Sequence, residues 1–256
     1  MIDSATYSKR RKRNMNNQER FEELMSIAAD RPGWSELMNY IQKSDFYTAP
    51  ASSRFHLSCA GGLLQHSLNV YDALVGRLVD TVETDEMVLQ VSGHTVATFK
   101  KETLAIAALL HDLCKTNFYT VEYRNQKTYD KEKVAKANPY QVKRDNGGQF
   151  IWEQAPFYAI SDKNPYGHGE KSVMMIEEFM KLTMEERYAI RWHMGMANAN
   201  NCDLQAFNAS CEKYPLVLLL HNADQEASHL MEDNEGNKKE FVNSDSSGEF
   251  EEATPV

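Results

Sequence analysis

The chain is poor in cysteine. Its four cysteines (Cys59, Cys114, Cys202 and Cys211) form no CxxC spacing and no paired framework. That excludes a disulfide-built fold and a cysteine-rich zinc cage, and it reads as reduced thiols in a cytoplasmic setting. Long hydrophobic runs are missing too. No apolar stretch reaches the ~18 residues a membrane span needs, and the polar start of the chain carries no secretory leader. The expectation is a soluble, cytoplasmic protein with no membrane partner. Excess positive charge is also absent: the formal net charge is −9. An acidic body argues against a broad electrostatic grip on duplex nucleic acid. It remains compatible with a small anionic substrate held by a metal and a few local cations.

The charge is unevenly spread. Residues 1–13 carry five basic residues and one acid, whereas residues 232–256 carry eight acids and two lysines. Residues 1–16, with the basic run Lys9 to Arg13, read as a disordered start, a nucleic-acid or partner contact being the other reading. Residues 232–256 read as an acidic disordered tail. The 17–231 stretch between them reads as a single domain, long enough to bury a core without disulfide support.

Within it the periodicity is mostly helical. Phe21, Leu24, Met25 and Ile27-Ala28 share a face until Pro32-Gly33 breaks the pattern, and Trp34 to Ile41 reads as a second helix. Residues 44–59 read as an extended connector. After Gly61-Gly62 a long amphipathic helix is expected over about 63–82, with Leu64, Leu68, Tyr71, Leu74, Val75 and Leu78 as its buried stripe. A helix over about 101–115 is apolar on nearly every side and should be the most buried. Beyond Thr116 the character changes. FYTVEY and FIWEQAPFYAI are aromatic and β-branched, with Asp145-Asn146-Gly147-Gly148 between them. That predicts a β-hairpin or lid inserted at about 118–160. Residues 120–147 hold seven basic residues against four acids. Helical pattern returns at Gly167, Thr183 and Glu186 form a capping box, and a last helix pair covers about 203–211 and 214–231. The fold class is mostly α with a small β insertion.

Chemistry concentrates in a few histidines and carboxylates. His111-Asp112 ends the most apolar run, LAIAALLHDLCK. A carboxylate buried there without a partner costs several kcal/mol, roughly. A cation is the natural partner, and the competing reading is an ion pair with Lys115, three residues on. His66 lies beside an apolar helical face, where a lone histidine is ordinarily a satisfied core residue. His168 opens a helix after Pro165-Tyr166-Gly167, where capping is the plain alternative. His193 ends a helix, where a histidine often only meets the helix dipole. Asp224 follows the buried run Leu216 to Leu220 and needs a partner. His221, one turn earlier, is placed to orient it or a ligand histidine. His94 and His229 read as surface residues. With no cysteine in the set, the donors are nitrogen and oxygen. They suit one or two divalent ions among Mn, Fe, Ni, Co, Zn and Mg.

The pieces GGLLQHSLNVYDAL, AALLHDLCK, YGHGEKSV, IRWHMG and LLLHNADQEAS, in the order H…HD…H…H…D, resemble the HD-domain phosphohydrolase superfamily. In motif context the chain is most similar to the small stand-alone HD hydrolases of Firmicutes and their phages, and to the HD domain of bacterial 3′–5′ exoribonucleases. The resemblance implies an all-α HD core with a mono- or dinuclear metal centre. His66, His111, Asp112 and Asp224 would hold one metal, and Asp112 would bridge to a second held by His168 and His193. Lys115 would contact the substrate phosphate. His56 matches a histidine frequent in this subgroup that contacts phosphate or a bridging water, loop packing being the alternative. Cys114 departs from the glycine of many relatives: it adds bulk and a possible soft donor beside Lys115, which puts the detailed shape of the phosphate pocket in doubt but not the metal set.

The expected activity is metal-assisted hydrolysis of a phosphoester or phosphoanhydride in a nucleotide or short oligonucleotide. Metal-activated water would attack phosphorus, and Asp112, Lys115 and His56 would be catalytic. Three other readings stay open. One is a 3′–5′ exoribonuclease or single-strand nuclease. Another is a module that sequesters a nucleotide without turnover. The third is an iron-dependent HD oxygenase, which activity surviving replacement of Fe by Mg or Mn would rule out. Homo-oligomerisation is left open.

Overall fold

The computed structural model describes residues 15–81, 84–197 and 201–232. The basic run at 9–13 and the acidic stretch beyond Glu232 lie outside the described residues.

Helix α1 (Asn17–Met25) starts at a capping box in which the Asn16 side chain accepts from the Glu19 amide and Glu19 accepts from the Asn16 amide. It buries Phe21 and Met25. Helix α2 (Trp34–Lys43) packs beside it, and the Trp34 indole donates to the Met25 carbonyl at 2.8 Å. Residues 44–61 are compact turns, not the extended connector that was expected. Their amides and carbonyls are used locally and against the start of the next helix, as in Gly61 N to Thr48 O and Leu63 N to Ala49 O. A Cβ on Gly62 would lie 2.1 Å from the Leu57 carbonyl oxygen, so only glycine lets this loop close on helix α3 (Gly62–Val75).

Helix α3 stops at Val75, short of the expected end near 82. Strands β1 (Val79–Asp80), β2 (Glu86–Val91) and β3 (His94–Lys100) follow as an antiparallel sheet in the order β1-β2-β3. Ser92 and Gly93 turn the β2–β3 hairpin with φ of 52° and 81°. Two consecutive positive-φ residues are the turn that matches strand twist. Phe99, with the partly buried Met87, Leu89 and Ala97, anchors this sheet to the core.

Helix α4 (Lys101–Leu110) is the buried centre, with every residue from Thr103 to Leu110 out of solvent. Each Leu or Ile side chain buried there contributes about 1.5–3 kcal/mol relative to exposure. The helix ends at Leu110, five residues before the expected limit. His111 caps it, Asp112 takes φ −105° and ψ 20°, and Leu113–Lys115 is one 3-10 turn. Asp112 thus sits in the sparsely populated bridge region that active-site residues often occupy.

The insertion expected at 118–160 is present and is more elaborate than a plain hairpin. Strands β4 (Tyr119–Thr128) and β6 (Gly148–Ile160) pair antiparallel from Tyr119↔Ile160 to Thr128↔Ile151. Between them come the short helix α5 (Lys131–Lys136) and strand β5 (Lys143–Asp145), which pairs with the other edge of β6.

Helices α6 (His168–Glu177), α7 (Met184–Trp192), α8 (Asn201–Lys213) and α9 (Pro215–Glu226) complete the described fold, and a π-helical turn at Ala227–Met231 extends α9. The expected Thr183–Glu186 capping box forms. Glu186 does more than cap. Its buried carboxylate accepts a two-pronged pair from Arg31 at 2.6 and 2.8 Å and a bond from Thr103 at 2.9 Å. That charge-assisted fork ties the turn before α2 to α4 and α7. Among the described residues the chain is mostly helical with two small three-stranded sheets. No described helix is long and apolar enough to cross a membrane.

Candidate metal centre

Five segments converge on one point. Helix α3 supplies His66 and the end of α4 supplies His111-Asp112. His168 is the first residue of α6, His193 caps α7 and Asp224 lies near the end of α9. The packing follows from the burial stripes, since α4 contacts α3 and α7, and α9 contacts both of those helices. Gly169 brings in the last member: a Cβ there would lie 2.2 Å from the Arg191 carbonyl oxygen. Its absence lets α6 touch α7 and sets His168 beside His193, with ring centroids 5.2 Å apart. His66, His111, Asp112, His193 and Asp224 are buried, and His168 is partly exposed.

Asp112 is the centre. Its Oδ2 lies 3.5 Å from both His66 Nε2 and His111 Nε2 and 2.6 Å from Lys115 Nζ. Its Oδ1 lies 2.8 Å from His168 Nε2 and 3.5 Å from His193 Nε2. Asp224 Oδ1 joins the first group at 3.2 Å from His66 Nε2 and 4.0 Å from His111 Nε2. The two oxygens of one carboxylate therefore face two separate donor sets.

The imidazoles share one orientation. His111 Nδ1 meets the Ala108 carbonyl at 2.8 Å, His193 Nδ1 meets the Ile190 carbonyl at 2.6 Å, and His66 Nδ1 meets the Glu232 carboxylate at 2.9 Å. Those oxygens can only accept, so each Nδ1 carries the proton and each Nε2 turns toward Asp112. His66 Nε2 and His111 Nε2 come within 3.2 Å of each other. They meet lone pair to lone pair unless one is protonated or both face a cation. His193 Nε2 is buried and, among the described residues, has no hydrogen-bond partner.

The charge balance asks for positive charge here. Burial opposes protonation of His66, but Asp224, Glu232 and Asp112 push its pKa up to about 9. His111, with burial dominant, is held below its ordinary value. Burial raises the Asp112 carboxyl, and Lys115 with the neighbouring histidines more than reverses this, holding it well below the usual range. Asp224 is likewise held down, chiefly by His66, against the effect of burial. His66–His111–Asp224, His111–Asp112–His193 and Asp112–Cys114–His168 each offer ligand atoms within 4.8 Å of one another.

All six residues singled out as metal ligands in the sequence are brought together. Lys115 is there as well, and the ion pair with Asp112 that stood as the competing reading forms, though largely buried and not at the surface. His56 arrives by another route: its ring lies 4.7 Å from that of His66, and its Nδ1 meets Glu232 at 2.5 Å. His221 anchors the backbone, its Nδ1 meeting the His193 carbonyl at 2.7 Å. His94 and His229 are exposed, as expected. Two members were missed. Cys114, excluded from the set in the sequence, lies with Sγ 3.3 Å from His168 Nδ1, and burial pushes its thiol up to about 11. Glu232, assigned to the acidic tail, is instead buried against His66. Little in its sequence neighbourhood marks it, because it stands after Leu230-Met231 as the first acid of a polar, acidic run.

A cleft of about 850 Å³ opens beside Glu232, between the 53–59 loop, α3 and the β4–β6 ribbon. Arg54, Phe55, Arg124, Phe157 and Tyr158 line it. Arg124 lies over the Phe157 ring at 5.0 Å. Among the described residues neither arginine is in an ion pair, whereas Lys127 and Lys133 of the insertion are paired with Asp145 and Glu153.

Comparison with family models, with curated proteins and with solved structures gave no match in any of the three.

Proposed function

We propose that this chain is an HD-type metal-dependent phosphohydrolase acting on a nucleotide or short oligonucleotide. The observation that carries the reading is the two-faced carboxylate of Asp112, with imidazole nitrogens on both sides and, on one of them, a buried His193 Nε2 that has no hydrogen-bond partner among the described residues. The donor set fits divalent cations. His66, His111, Asp112 and Asp224 would hold one ion; Asp112, His168 and His193 would hold another. A divalent ion so held supplies Lewis acidity toward a phosphoryl oxygen and brings the pKa of water toward neutrality.

The chain's own groups do the rest. The Nδ1 bonds hold three rings with their Nε2 lone pairs inward, which raises their basicity as ligands and fixes the tautomer. Lys115 keeps its proton beside Asp112 and offers positive charge to phosphoryl oxygens that gain negative charge in the transition state. The cleft offers rings for a base, and Arg54 and Arg124 for further phosphates. That cation-aromatic lining also favours the second reading, a nuclease acting on short single strands.

The test is a screen of the full chain, supplied with divalent metals, against nucleoside mono-, di- and triphosphates, cyclic nucleotides and short RNA and DNA. Turnover by the wild type and none by Asp112→Ala, with helical circular dichroism retained, supports the reading. Full activity in Asp112→Ala contradicts it. So does tight nucleotide binding by the metal-supplied wild type with no product formed, which favours sequestration.

A further inference from the structure

Mid-helix histidines face a difficulty that helix-end histidines do not. His111 and His193 cap their helices, so each reaches a carbonyl three residues back that no later amide of the helix claims. His66 lies inside α3, where every nearby carbonyl already accepts a helical amide. Its Nδ1 proton needs an acceptor from another part of the chain, and Glu232 is that acceptor.

We propose that Glu232 is a positioning residue of the metal centre, orienting His66 from behind. This rests on the metal-centre reading above. The carboxylate is wholly shielded from solvent at its side chain, and a carboxylate buried in this way must be matched by donors. It has three: His66 Nδ1 at 2.9 Å and Asn69 Nδ2 at 3.0 Å to Oε1, and His56 Nδ1 at 2.5 Å to Oε2. Asn69 is one turn beyond His66 on α3, and His56 comes from the loop closed by Gly62. The carboxylate thus joins three segments around one ring.

The backbone explains how it gets there. Helix α9 carries Asp224, then widens into the π-helical turn Ala227–Met231, and Glu232 follows directly. Such wide turns recur at functional sites because they re-aim the chain. One continuous segment therefore grips His66 from both sides, with Asp224 Oδ1 3.2 Å from Nε2 and Glu232 Oε1 2.9 Å from Nδ1. The Glu232–His66 pair is a carboxylate–histidine arrangement of the kind that fixes a ligand's tautomer and raises its basicity.

The experiment is a competition titration of Zn²⁺ and Mn²⁺ against a fluorescent chelator, using the full chain as wild type, Glu232→Gln and Glu232→Ala. Affinity is expected to fall about 10-fold in Glu232→Gln and up to about 100-fold in Glu232→Ala. Loss of the carboxylate lowers the thermal midpoint in excess chelator as well, so affinity is read well below that midpoint, on the folded variant. A second measurement needs no variant. In the zinc-loaded wild type, the His66 ring is expected to show a protected Nδ1 proton in nitrogen-resolved NMR. Unchanged metal affinity in both variants, or a His66 ring protonated on Nε2 in the zinc-loaded protein, overturns the role of Glu232 and leaves the metal centre standing. A wild-type chain that binds neither ion overturns the metal-centre reading itself.

Discussion

His193 Nε2 lies 3.5 Å from Asp112 Oδ1, is buried, and has no hydrogen-bond partner among the described residues. The ring cannot turn away, because its Nδ1 is bonded at 2.6 Å to the Ile190 carbonyl. An orphaned buried polar atom costs about 1–3 kcal/mol. On the proposed metal-centre reading, that cost is carried by a ligand atom held ready for a cation.

Replacing this residue should therefore separate the two donor sets. His193→Ala is expected to lose one divalent ion per chain and keep the one served by His66, His111 and Asp224. Calorimetric titration reads the stoichiometry directly, and a His193→Ala variant that still binds both ions would count against the assignment.

Lys115→Met removes the ammonium 2.6 Å from Asp112 Oδ2. Loss of one charge-stabilising donor is expected to lower kcat by about 10²–10³-fold. Asp112 also loses a partner, so the thermal midpoint measured in chelator should drop, and added divalent metal should restore it. Steady-state kinetics with unchanged kcat would remove Lys115 from the chemistry.

Arg31→Ala tests the fold apart from the site. It strands the wholly buried Glu186 carboxylate, which Arg31 engages at 2.6 and 2.8 Å. Breaking a buried pair in this way costs about 3–5 kcal/mol. Equilibrium urea unfolding should show that loss, while metal affinity of the folded protein stays at the wild-type value. A change under ~1 kcal/mol would mean that the pair behaves as an ordinary surface bridge.

Arg124→Ala and Phe157→Ala remove a cation and a ring from the cleft. Loss of a stacking platform weakens binding by about 1–3 kcal/mol per base. KM for an oligonucleotide is expected to rise in both variants with kcat little changed. An unaltered KM would place substrate elsewhere.

The residues of the candidate site were legible because they interrupt strong patterns. His111-Asp112 ends an apolar run that has no reason to stop in a carboxylate, and Asp224 follows another. The ribbon was visible through its aromatic strands and the Asp-Asn-Gly-Gly turn. The β1–β3 sheet was overlooked although Ser92-Gly93 stands between two alternating runs, because the amphipathic stripe of α3 continues in register through Leu78 and hides the helix end. The limit of α4 was missed for a related reason: a cap in αR conformation at His111 leaves no mark in periodicity. Glu232 was beyond reach of the sequence, since its partners His56, His66 and Asn69 lie more than 160 residues away. Cys114 was legible only as bulk and a possible soft donor beside Lys115, and it is the packing of α6 on the 3-10 turn that brings its sulfur to His168.

The central claim is that Asp112 serves two metal positions at once. Metal uptake by the full chain, compared between wild type and Asp112→Ala by calorimetric titration with Mn²⁺ and Zn²⁺, tests it most directly. The account predicts binding at both positions in the wild type and loss of both in the single variant, with the helical content unchanged. A variant that still binds metal with wild-type stoichiometry and affinity, or a wild type that binds none, would contradict it.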